Sequence, residues 1–123
     1  MSTTTKSVGI TAATLAFAAS ALTAETVCTF DRDCKTLDDC TQIDYPITTS
    51  GLYGPVTLTL PDQSAPLDGA ANPTSEGRIV VNGSDRELFV LMNINADATA
   101  HALVETPTDA RILFGRCAMN GTS

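Results

Sequence analysis

The chain has 123 residues, enough for one small domain and too few for two cores of ordinary size. Fourteen Asp and Glu stand against seven Lys and Arg, and the net charge of −7 excludes the clustered cations that nucleic acid and anionic membrane surfaces require of a partner. Acidity of this size is read as keeping an exported protein soluble; the alternative is an acidic lobe of Asp31, Asp33, Asp38 and Asp39 that meets a basic protein.

The first segment, MSTTTKSVGITAATLAFAASALTA, has one basic residue, Lys6, then an uncharged run from Val8 to Ala19 and a set of small residues. This is the pattern of a secretory signal peptide over residues 1–24, with cleavage after Ala21 or Ala24. The run is shorter than the roughly 20 apolar residues a membrane anchor needs, and Glu25-Thr26-Val27 before Cys28 is no lipobox, so no membrane anchor is expected. Residues 25–123 are then a single exported domain. Without Lys6 its charge is −8.

ETVCTFD reads as an opening strand and leads into CTFDRDCKTLDDC, where Cys28, Cys34 and Cys40 are evenly spaced; the fourth cysteine is Cys117. Four cysteines in a short exported chain read as two disulfides with three possible connectivities. Five-residue gaps suit neither the close pairs of structural zinc nor the C-x-x-C of a redox centre. The preferred pairing is Cys34 with Cys40, closing a small acidic loop, and Cys28 with Cys117, tying the first strand to the last. The second would close a loop of about 90 residues, worth roughly 4.5 kcal/mol in the chain-entropy model.

In GPVTLTLP, Val56, Leu58 and Leu60 point one way and Thr57 and Thr59 the other, a strand with one buried face that Pro61 ends. From Pro61 to Gly77 three prolines and Asp68-Gly69 predict a loop with at most a short edge strand. RIVVNGSDRELFVLM predicts a hairpin with strands near 78–82 and 86–94 and a tight turn at Asn82-Gly83. NADATAHALVETP fits helical spacing through Ala96, Ala100, Leu103 and Val104, and fits a strand face through Ala98, Ala100, Ala102 and Val104. The turn signals on either side favour the strand. ARILFGRC closes the fold by delivering Cys117. The fold expected is all-β: a small antiparallel meander barrel or sandwich closed by disulfides.

No constellation carries convincing chemistry. His101 is the sole histidine, so every Ser-His-Asp or Cys-His scheme passes through it, and no serine sits in a nucleophile elbow. Asp38-Asp39 reads as a solvated loop, not a pair of acid and base groups. Asn93, Asn95 and Asp97 begin like a calcium loop, but Ala98 stands where a glycine is needed and Val104 where a bidentate carboxylate is. The NGS and NGT tripeptides at Asn82 and Asn120 read as turn chemistry. No catalytic set, metal or cofactor is expected.

Leu88 to Met92 are consecutive and apolar, so both faces of that strand are greasy. In a sandwich a second layer would cover both; in a barrel Phe89 and Leu91 would face outward as a contact patch. Leu52 and Tyr53, beside Gly51 and Gly54, are the second candidate anchors. The function expected is an exported, periplasmic or secreted, non-enzymatic module that binds a protein or small ligand. The alternative is a passive structural or assembly component of the cell envelope, and behind both comes a small hydrolase dependent on His101.

Overall fold

The computed structural model describes residues 24–119. The leader expectation, residues 1–24, therefore lies outside the described residues except for Ala24, as does the tripeptide at Asn120. Eight strands follow in order: β1 Thr26–Thr36, β2 Asp39–Thr49, β3 Gly54–Thr59, β4 Leu67–Pro73, β5 Ile79–Ser84, β6 Phe89–Ile94, β7 Thr99–Thr106 and β8 Asp109–Met119. Each pairs antiparallel with the next, and β8 returns to β1 through a register that includes Cys28 opposite Cys117. The sheet is a closed up-and-down barrel, not a sandwich.

Alternation puts one face of every strand inside. Phe30, Ile47, Leu58, Val81, Val90, Met92 and Leu113 are fully buried. Small residues fill three further inward positions: Ala71 on β4, Ala100 and Ala102 on β7. A barrel of about eight strands has an interior just wide enough for side chains to fill. Apolar residues inside and mostly polar ones outside is the inverse of a membrane-spanning barrel. No helix among the described residues is long and apolar enough to cross a membrane.

Both expected disulfides are present. Cys28–Cys117 closes the β1–β8 seam across a sequence separation of 89, and Cys34–Cys40 clamps the β1–β2 hairpin across a separation of 6. Each joins residues directly opposite in the ladder. The β2–β3 seam is the shortest, with Thr48 opposite Thr59 and Thr49 opposite Leu58.

The strands expected from Val56 to Leu60, over 95–105 and at the two ends are found, the second as β7 after a turn at Asn95–Ala98. In that turn Asn95 N–H donates to Thr99 O (2.8 Å) and Ala98 N–H to Asn95 O (2.9 Å). Two expectations fail. Asn82-Gly83 is not the hairpin turn but lies inside β5, with Asn82 opposite Leu91 and Gly83 opposite Val90. The turn falls three residues later, where the Asp85 carboxylate accepts from the N–H groups of Glu87 (2.8 Å) and Leu88 (2.9 Å). Gly83 serves close packing instead: it faces Gly69 across β4–β5, and a Cβ on it would stand 2.7 Å from a methyl of Leu58. A Cβ on Gly69 would run into the carbonyl oxygen of Asn82.

The stretch from Pro61 to Gly77 is loop over 61–66 and 74–77, but the strand within it is not an edge strand. It is β4, paired with β3 over 67–71 and with β5 over 69–73. Pro66 stands just before this strand and Pro73 is its last residue, so neither interrupts the ladder. The strand is faint in the sequence because only Leu67 and Ala71 are buried on it.

Candidate functional site

Inward Val90 and Met92, both fully buried, force their neighbours Phe89 and Leu91 to the outside of β6. Leu91 lies opposite Leu103 on β7, Leu103 opposite Ile112 on β8, and Ile112 opposite Cys34 on β1, which is bonded to Cys40. One row of apolar side chains therefore crosses four strands of the outer face. Ile112 is 44% exposed and Phe89, in the adjoining row, 38%; Leu91 and Leu103 are half-buried. Glu105 lies beside Phe89 on one flank. His101, Phe114 and Arg32 form the row on the other flank.

Leu52 and Tyr53 do not form a second anchor pair. Leu52 is 5% exposed and packs with the core, while Tyr53 is 68% exposed beside it. The Thr49 hydroxyl donates to Gly51 O at 2.7 Å and fixes this turn. Leu52 also lines a small cavity of about 170 Å³ with Ile79, Ile94 and Cys117, too small for most ligands.

His101 is exposed on the outer face, with its ring centroid 6.3 Å from that of Phe114. Among the described residues no hydroxyl or carboxylate is hydrogen-bonded to it, so the structure assembles no triad around it. Asp38 and Asp39 are exposed in the clamped hairpin, where Asp39 N–H donates to the Thr36 hydroxyl at 3.1 Å. Among the described residues no three His, Cys, Asp or Glu side chains come together as metal donors.

Several side chains with functional potential were not singled out by sequence. Leu37, at the hairpin tip, is 92% exposed. Ile112, Leu103 and Phe114 join Phe89 and Leu91 only through the register of three strands. At the end of the barrel that carries the β1–β2 and β7–β8 hairpins, Arg111 pairs with Asp33 at 2.8 Å and lies 4.8 Å over the ring of Tyr45. The Tyr45 hydroxyl donates to Asp62 at 2.8 Å. Burial, then that bond and the Asp62 charge, hold the phenol far above its ordinary range. Beside this end lies an open cleft of about 660 Å³ lined by Gln63, Asp85, Glu87, Leu88 and Pro107.

No protein-family model matches this chain, and comparison with curated proteins and with solved structures finds no match.

Proposed function

We propose that the protein is an exported, non-enzymatic binding module, periplasmic or secreted, that holds a protein partner against the outer face of β6–β8. The observation that carries this reading is the Leu91–Leu103–Ile112 row with Phe89 beside it, an apolar band on the outside of a barrel whose core is already filled. Two intramolecular disulfides support export, since such bonds persist in oxidising compartments. They also hold the band rigid, which lowers the ordering cost of association.

The test is affinity capture from an envelope extract, with the oxidised protein as bait and a Phe89→Asp, Ile112→Asp variant as control. Both side chains already meet water, so the variant keeps the fold. A protein retained by the native bait and lost with the variant supports the reading. The same proteins on both baits, or none, refute it and leave the passive envelope component as the better account.

A further inference from the structure

With Lys6 set aside, six cationic side chains remain in this acidic chain. Two of them, Arg32 and Arg116, line one cleft on the outer face with the sole histidine and the Phe114 ring. The β1 register shifts between Phe30 and Arg32, leaving Asp31 unpaired and placing Arg32 opposite Phe114. The Arg32 guanidinium lies 5.3 Å over the Phe114 ring. His101 faces Phe114 from β7, and Arg116, two residues further along β8, lies opposite Thr99. Together they line an open cleft of about 580 Å³.

Two carboxylates belong to the same neighbourhood. Asp97 is turned to Thr99, accepting from its hydroxyl (2.6 Å) and its N–H (3.0 Å), while its backbone carbonyl accepts from Arg116 at 3.2 Å. Asp31 reaches Arg32 at 4.0 Å, a single long contact between side chains 69% and 59% exposed. The Arg32 guanidinium thus sits over the ring with one long carboxylate contact and is largely unfilled. A planar guanidinium fork matches a carboxylate, and its other face stacks on an aromatic.

The geometry points to this cleft as a binding site for a carboxylate monoanion carried on an apolar or aromatic body. Arg32 forks the carboxylate, Arg116 and His101 back it, and Phe114 meets the body. Asp31 on the rim disfavours a dianion such as phosphate. The site uses the charged row beside the apolar band and does not depend on the band being occupied.

The test is an amide-shift titration of the oxidised, isotope-labelled protein with benzoate, alongside its neutral counterpart benzamide, inorganic phosphate, and chloride at matched ionic strength. Benzoate is expected to give saturable shifts at Arg32, His101, Phe114 and Arg116, with a Kd on the order of millimolar. Arg32→Gln is expected to weaken it about tenfold or more, as loss of a charged hydrogen-bond pair does. Phe89→Asp, which disables the band, should leave benzoate binding within about twofold, the charge being remote and screened, so the two readings fail separately. The proposal is overturned if benzamide or chloride produces the same shifts, if phosphate binds more tightly than benzoate, if Arg32→Gln leaves the Kd unchanged, or if benzoate moves none of these amides.

Discussion

The titration of Tyr45 is set by the groups packed around it. Folding favours its protonated form, first because burial disfavours the phenolate and then because the phenol donates to Asp62. A raised folded value means the contribution is complete below the unfolded value of about 10 and is lost as pH rises above it. Stability measured by thermal melting should therefore fall progressively as pH rises above about 10, and a Tyr45→Phe protein should lack that part of the fall while losing about 1 kcal/mol at neutral pH. Gly69 gives a second residue-level expectation. With the Asn82 carbonyl where its Cβ would go, Gly69→Ala should cost about 3 kcal/mol in denaturant unfolding, since backbone rather than a flexible side chain must yield. The same pair of strands explains why Asn82-Gly83 misleads. Asn-Gly is the composition of a tight turn and equally of a glycine that admits a neighbouring strand; only the partner strand tells them apart.

The disulfides differ most at the level of elements. Cys28 is fully buried on the inner side of the β1–β8 seam, whereas Cys40 is exposed on the hairpin. Exchange requires a thiolate to reach a sulfur, so mild reductant should open Cys34–Cys40 first, leaving the barrel's far-ultraviolet spectrum intact. Replacing Cys34 and Cys40 with Ala should cost about 2 kcal/mol, and replacing Cys28 and Cys117 about 4.5 kcal/mol, the longer closed loop giving the larger loss. The short β2–β3 seam is the expected weak point: amides on the β3-facing edge of β2 before Thr48 should exchange faster than those of β6 and β7, which are paired on both sides. A strand with clear alternation, such as β3, is legible in the chain. β4 is not, because Leu67 and Ala71 are too few to announce a period and the prolines at its borders look like interruptions.

For the whole molecule, cysteine count and alternation sufficed to anticipate an all-β domain stapled at two places, since both are local properties of the chain. The choice of barrel over sandwich was open, because it depends on β8 finding β1. The same limit applies to the candidate site. Phe89 and Leu91 were visible as a run apolar on both faces, but Leu103, Ile112, Phe114 and Arg32 became their neighbours only through the register of four strands. Leu52 is buried because the turn folds over the core, which a leucine beside two glycines does not reveal in the sequence. Once a retained partner is purified, hydrogen exchange of the protein alone and in complex would show where that partner sits. Protection gathered at Phe89, Leu91, Leu103 and Ile112 is the expected result. Protection confined to Leu37 at the hairpin tip, or to the cleft around Pro107, would contradict the assignment of the outer β6–β8 face as the contact surface.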